Sequence, residues 1–308
     1  MGFLQEGGGV GLYRVVTDHV ADIGACATLF AHPRNDRLLT WLWTLWRRRA
    51  DVFYAMGVQL RGNRFRAAKR LGRRTVLHWI GTDVWYLRTD PEKREAFRRD
   101  VLPHIDAHWA VSKENAAGLR DALGVDATIV PIIDYGVTDV PEPAARDAHA
   151  AFLYNPRGSG KAGDFYGLPQ FLAAARAHPD VPFRVLADDG AEAAEAVPPN
   201  VAFLGRVEDM AGIYRTHTVY IRPTQHDGLP KMVIEALAWG CEVIYSQPFP
   251  HCRQASTADE VTAAVREVLA VPPRCNRAGR EHVRTAYARD RVRRQWEEAL
   301  AALVGPNA

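Results

Sequence analysis

Apolar runs too short to be helices recur along the chain, with helical patterns between them. That alternation is met by βαβ units with parallel strands, not by a sandwich or a bundle. The runs form two series. The first is CATLFA (26–31), DVFYAM (51–56), TVLHWI (75–80), AHWAV (107–111) and ATIVPI (127–132). The second is AFLYN (151–155), PFRVLA (182–187), VAFLG (201–205), TVYIRP (218–223) and EVIYS (242–246), with helical patterns near 168–177, 207–215, 230–239 and 257–270. Between the series, YGVTDVPEPAARDAHA is polar and carries Pro141 and Pro143, which reads as a linker. The expected organisation is a Rossmann-like domain over 1–137, a linker over 138–150, and a second Rossmann-like domain over 151–308 that ends in one charged amphipathic helix near 280–303. A chain of 308 residues lets each domain bury its own core. Ligands are expected at the carboxyl ends of the strands and in a cleft between the two domains.

Charge and cysteine usage narrow the partners. The formal net charge is only +3, but between Arg34 and Arg74 the sole acids are Asp36 and Asp51. That segment prefers anions. Cys26, Cys241, Cys252 and Cys275 have no paired spacing of the zinc, dithiol or disulfide kind, which fits a reducing compartment. The start, MGFLQEGGGVGLYR, lacks the pattern of a secretory signal. The most apolar stretch, LLTWLWTLW at 38–46, is far shorter than the roughly 20 residues that span a bilayer. A cytoplasmic location is expected.

The stretch HDGLPKMVIEALAWG (226–240) has the most legible chemistry. Pro230 suits a first helical position and Gly240 a stop, so a helix is expected between them. Met232, Val233, Ala236, Leu237 and Trp239 make its apolar stripe. Asp227 stands just outside the helix and Glu235 inside it. Free amides and the macrodipole at the helix start hold an anion, while carboxylates accept hydrogen bonds from sugar hydroxyls. The ordinary alternative is a helix start beside a solvated acid. A second loop, NPRGSGKAG (155–163), tests as a Walker loop and fails: the first glycine is missing and Ala162 stands where Ser or Thr would bind magnesium.

With its strand and loop in front, VAFLGRVEDMAGIYRTHTVYIRPTQHDGLPKMVIEALAWGCEVIYS resembles the retaining glycosyltransferases of GT-B architecture, the large family numbered four, or glycosyl transferases group 1. VSKENAAGLRDALGVDATIVPIIDYGV resembles the same family more loosely. The resemblance implies an α/β protein of two Rossmann-like domains facing each other across a cleft. It also implies a hexosyltransferase that moves a sugar from a nucleotide-sugar donor to a glycan or lipid-linked acceptor, as in polysaccharide biosynthesis. Glu235 then binds the ribose hydroxyls, and Asp227, one methylene shorter than the family's usual glutamate, contacts the donor sugar. Gly228, Leu229, Pro230 and Lys231 lie against the diphosphate, with Gly205 and Val207 on the nucleotide. Arg157 and Lys161 match the family's pair that clamps the departing diphosphate. No Asp-x-Asp pair occurs, so no metal and no other cofactor is expected.

In the first domain, TVLHWIGTDVW puts His78 near the end of a strand and Asp83 in the next loop, candidates to orient the sugar and to take a hydrogen bond or proton from the acceptor. GGGVGLYR (7–14) is similar to the family's glycine loop, but the strand expected before it is nearly absent, which implies a shortened N-terminal domain. Leu38, Trp41, Leu42 and Leu45 make one helical stripe and Leu39, Trp43 and Trp46 another, ahead of Arg47, Arg48 and Arg49. Such a helix is either buried or interfacial. With the arginines that follow, it suggests a peripheral site on an anionic membrane, at its inner face, and no nucleic-acid module accompanies it. Two other readings share much of this pattern: a nucleotide-sugar epimerase of the same fold, and a non-catalytic nucleotide-sugar-binding subunit.

Overall fold

The computed structural model describes residues 1–6, 10–29, 38–47, 49–57, 62–156, 164–191 and 197–304. The chain forms two compact units. The first comprises 1–134, 227–229 and 289–308, and the second 135–226 and 230–288.

The first unit opens with β1 (Gly2–Glu6), α1 (Val10–Asp22), β2 (Cys26–Leu29), α2 (Leu38–Arg47), β3 (Val52–Met56) and α3 (Asn63–Arg70). It continues with β4 (Arg74–Trp79), α4 (Thr82–Thr89), α5 (Pro91–Asp100), β5 (Ala107–Ala110), α6 (Lys113–Leu123) and β6 (Thr128–Ile129). The described strands pair in parallel in the order β2-β1-β3-β4-β5-β6. The strand expected to be missing before the glycine loop is therefore present. GFLQE is too polar to read as a buried run, yet it pairs with β2 on one side and β3 on the other.

Strand alternation divides the first core. Phe53, Leu77 and Trp79 face the layer of α2 to α6, where Trp41, Leu45, Phe65, Val84, Phe97 and Leu119 join them. Tyr54, His78 and Trp109 face the other way.

The second unit contains β7 (Ala151–Tyr154), α7 (Leu168–Ala177), β8 (Phe183–Leu186), β9 (Val201–Phe203), α8 (Met210–Thr216) and β10 (Val219–Arg222). After these come α9 (Lys231–Ala238), β11 (Glu242–Tyr245), β12 (Arg253–Gln254), α10 (Ala258–Leu269) and α11 (Arg277–Ala286). Its parallel sheet has the order β12-β11-β10-β7-β8-β9. Leu153, Val185, Ile221 and Ile244 pack with Phe171 of α7 and Val261 and Val265 of α10. Phe152 and Tyr220 turn to the opposite face, stacked at 4.7 Å, with Tyr214 of α8 against Phe152.

Two expectations about the chain's organisation are corrected. The single helix near 280–303 is two, α11 and α12 (Arg289–Val304), interrupted at Tyr287 and Ala288. Only α11 stays with the second unit. α12 belongs to the first, where Trp296 is fully buried, stacks on His19 at 5.1 Å and donates its indole N–H to the Pro131 carbonyl at 3.0 Å. The segment 138–150, expected as a linker, lies bound along the second unit. Arg146 donates to the Tyr214 and Trp239 carbonyls, both at 2.8 Å, and Arg280 of α11 donates to those of Val140 and Pro141. The linker is fastened along the second unit by two guanidiniums.

Candidate functional site

The second sheet reverses its direction of growth at one place. From β7 the chain adds β8 and β9 on one side, then crosses back to lay β10, β11 and β12 on the other. The carboxyl ends of β7 and β10, where the direction of growth reverses, are the usual ligand position in an open parallel sheet. The loop leaving β7 begins Asn155-Pro156, and the loop leaving β10 leads to α9. Arg157 and Lys161 lie outside the described residues, but both flanks of their loop are placed. On the far flank, Thr224 Oγ1 and the Gln225 amide donate to the Phe165 carbonyl, at 3.1 and 2.9 Å. Gly167 there has φ of 86°, and a Cβ would strike the ring of Pro223, so only glycine lets the two loops approach this closely.

The α9 helix begins at Lys231, one position later than the sequence suggests, with Pro230 as its buried N-cap residue. No side chain caps this end and its first turn holds no acid. The first-turn amides are thus not taken by a side-chain cap, as an anion site requires. Val233, Ile234, Ala236 and Leu237 are buried, while Lys231, Met232 and Glu235 are half-buried. Glu235 Oε2 accepts the Tyr214 hydroxyl at 2.7 Å, which fixes the carboxylate's orientation. Burial first, and then the negative charge of Glu235, push the Tyr214 phenol well above its ordinary pKa, so it remains a donor. Tyr214 in turn stacks near Trp239, and the Arg215 guanidinium lies over that indole at 5.6 Å. Asp227, Gly228 and Leu229 are half-buried in the turn before α9 and group with the first unit.

Residues that the sequence reading missed hold the neighbouring loops. Asp188, 1% exposed after β8, accepts from Asn155 Nδ2 at 2.7 Å and from the Gly190 amide at 2.9 Å. Its own carbonyl takes the Gly205 amide at 2.9 Å. One buried carboxylate residue thereby ties together the carboxyl ends of β7, β8 and β9. Gly205 has φ of 59°, and Val207, half-buried, follows two residues later. The available signal was positional: Asn155 directly follows β7, and Asp188 lies two residues beyond β8. Tyr214 left no such trace, because its pairing with Glu235 spans two elements.

In the first unit the two candidate groups are structural. His78 is fully buried in β4; its Nδ1 accepts from the Tyr54 hydroxyl at 2.6 Å and its Nε2 donates to the Val130 carbonyl at 2.8 Å. Tyr54, Trp109 and Trp296 surround the ring, and burial lowers its pKa to about 3. A histidine with both nitrogens engaged inside the core is not placed to orient a sugar. Asp83, 4% exposed, gives its carboxylate to the backbone: Oδ1 accepts from the amides of Gly81 at 2.7 Å and Val84 at 2.9 Å, and Oδ2 from that of Ile80 at 3.0 Å. Burial raises its pKa while these amides pull it back. It shapes the β4–α4 turn and is not an available base. With Gly57, Ile80, Thr82, Tyr86, Leu87 and Lys93 it lines a cavity of about 350 Å³ at the carboxyl ends of β3 and β4.

The apolar stripe of α2 is a core stripe. Trp41 and Leu45 are 0% and 1% exposed and pack against Phe53 and its neighbours. Of the glycine loop, 7–9 lie outside the described residues. Among the described residues no group of three or more His, Cys, Asp or Glu side chains could hold a metal ion, and no helix is long and apolar enough to cross a membrane.

Comparison with known proteins bears out the resemblance. Residues 168–278 match the family described as Glycosyl transferases group 1. No curated protein matches. Sucrose-phosphate synthase from Thermosynechococcus elongatus superimposes with a TM-score of 0.74 at 15% identity, covering 99% of each chain. HepE from Anabaena, in complex with UDP-glucose, gives 0.68 at 13% identity, over 98% of this chain and 100% of that one. A putative UDP-N-acetylglucosamine 2-epimerase from Listeria monocytogenes gives 0.59 at 10% identity, over 98% and 96%. At such identities the likeness is one of fold, and that fold is GT-B. The family likeness covers the segment from α7 to the start of α11.

Proposed function

We propose that this chain moves a sugar from a nucleotide-sugar donor, held by the second unit, to a glycan or lipid-linked acceptor, held by the first. The observation that carries the reading is the reversal point of the second sheet. There β7, which leads in sequence to Arg157 and Lys161, adjoins β10, which leads to the uncapped start of α9 and the oriented carboxylate of Glu235. Phosphates, ribose hydroxyls and a sugar need that set: amides and cations for the anion, carboxylates for the hydroxyls.

In this reading Glu235 accepts the ribose hydroxyls and Asp227 a hydroxyl of the sugar. The backbone of Gly228 and Leu229, the turn at Pro230 and the Lys231 ammonium face the diphosphate, while Gly205 and Val207 flank the nucleotide. Arg157 and Lys161 stabilise the charge that gathers on the diphosphate as its bond to the anomeric carbon breaks, which is where fixed cations lower a barrier most. The acceptor hydroxyl bonds to that carbon on the same face and passes its proton to a diphosphate oxygen, so configuration is retained. No metal takes part, and no side-chain base is required, in keeping with the burial of His78 in the core and the hold of backbone amides on the Asp83 carboxylate. The acceptor is assigned to the cavity lined by Ile80, Tyr86 and Leu87.

Calorimetry with UDP-, GDP-, ADP- and dTDP-sugars in the presence of a chelator tests this. One donor is expected to bind the wild type, with binding lost in Glu235→Ala. In Tyr214→Phe it should weaken about three- to tenfold, the value of one hydrogen bond. Failure of every donor to bind the wild type overturns the assignment. The epimerase-like neighbour favours a second reading, and conversion of a bound donor sugar with no acceptor present would select it.

A further inference from the structure

The amino edge of the first sheet carries a feature that sugar transfer does not use. Helices α2 and α3 lie side by side on one face, both against Phe53: Trp41 meets it at 5.0 Å and Phe65 at 4.9 Å. Their last turns end at the same edge, because α2 leads into β3 and α3 into β4, and Val52 pairs directly with Arg74. Two large apolar side chains are left in solvent there, Trp46 at 72% and Leu71 at 52% exposure. Five residues and one residue before Trp46, the core takes Trp41 and Leu45 completely, so exposure begins where the helix passes beyond the sheet.

Cations surround these two residues. On α3, Phe65 and Ala68 point inward while Arg66, Lys69 and Arg70 are exposed, and Arg49 and Arg74 are exposed at the strand starts. The only acid between Leu38 and Thr82 is Asp51, whose carboxylate accepts the Gly2 amide at 2.8 Å. From the next element, Asp106 pairs with Lys69 at 3.0 Å and bonds Thr75, so it offsets one cation only. His104 records the excess: after burial, the charges of Arg66, Lys69 and Arg70 depress its pKa.

We infer that this edge docks on an anionic lipid bilayer, with Trp46 and Leu71 entering the interface and the arginines around them facing lipid phosphates. An exposed tryptophan and leucine ringed by cations suit the headgroup boundary, where an amphipathic side chain is half wet and anionic lipids supply the counter-charge. No nucleic-acid recognition module accompanies these cations in the sequence. The edge lies opposite the carboxyl ends of β3 and β4, so docking leaves the cavity there uncovered. The inference stands on this surface alone and does not depend on the transferase reading.

Co-sedimentation of the full chain with vesicles of phosphatidylcholine, with and without phosphatidylglycerol, tests it. Binding is expected only with phosphatidylglycerol and is expected to fall as salt rises. Arg70→Gln with Arg74→Gln should weaken partitioning roughly thirtyfold, the loss expected for two cations at an anionic surface. Trp46→Ser with Leu71→Ser should weaken it at high salt, where the apolar contribution remains. Each variant is compared with the wild type for its melting temperature and for nucleotide-sugar binding, both expected unchanged. The inference is overturned by absence of binding at low salt, by equal binding to pure phosphatidylcholine, by variants that bind as wild type, or by capture of duplex DNA or RNA in preference to the vesicles.

Discussion

His78 illustrates how one residue type can be read in opposite ways. A histidine near the end of a strand, three residues before a Gly-Thr-Asp turn, invites a role in binding. Strand alternation instead turns it toward α12, where Tyr54 and Val130 take both ring nitrogens. The consequence is measurable. Folding excludes the proton, because the pKa falls from its ordinary 6.5 to about 3 in the folded chain. Stability from this group is full above about pH 6.5 and declines as pH falls toward 3, by up to roughly 1.4 kcal/mol per unit. Urea denaturation at pH 7 and pH 5 should show that decline in the wild type and a smaller one in His78→Gln. An equal decline in both would remove His78 as its source. Asp83 teaches the same lesson: an acid three residues after a strand looked catalytic, but the nearest donors are amides of its own turn. The opposite case is Glu235, whose position was legible in the sequence while its partner Tyr214 was not.

At the scale of elements, what the sequence displayed best were the buried strands. TVLHWI, AFLYN and EVIYS are β4, β7 and β11 within a residue or two, because a strand covered on both faces must be apolar throughout. Strands without an apolar run of their own escaped notice. GFLQE and the two residues of β12 are polar or short, and only pairing makes them strands. Chain stops were legible for a steric reason. Gly240 ends α9 with φ of 70°, and a Cβ there would collide with Cys275 Sγ as well. Gly240→Ala should therefore cost more than about 1 kcal/mol, from the left-handed backbone alone, with the displaced thiol adding to it. Thermal denaturation of the variant checks this, and a loss of a few tenths of a kcal/mol would show that the turn relaxes. Helix α2 shows the limit of periodicity. Its doubled stripe fitted burial and an interface equally, and the structure divides it, with Trp41 and Leu45 in the core and Trp46 in solvent.

Over the whole molecule, the two units are not two halves of the sequence. Helix α12 follows the second unit in the chain yet completes the first, with Trp296 against His19, Tyr54, His78 and Trp109, and Arg289 paired with Asp22 at 2.6 Å. Trp296→Ala should cost about 3–5 kcal/mol, the range for emptying a large aromatic site, and that loss should fall on the first unit. Hydrogen exchange resolved by segment checks it: faster exchange is expected in α1, β3 and β4, while β7 and β10 keep their protection, and uniform loss would contradict the assignment. By itself the sequence determined the parallel α/β class, the two strand series and the opening of α9, because burial on both faces and helix-end sterics act over a few residues and leave local patterns. Only the tertiary structure decided which strands adjoin, that β7 and β10 meet at the reversal point, that Tyr214 holds Glu235, and that α12 returns to the first unit. Those are pairings across long stretches of chain, and no local pattern of side chains encodes which distant surface will bury it.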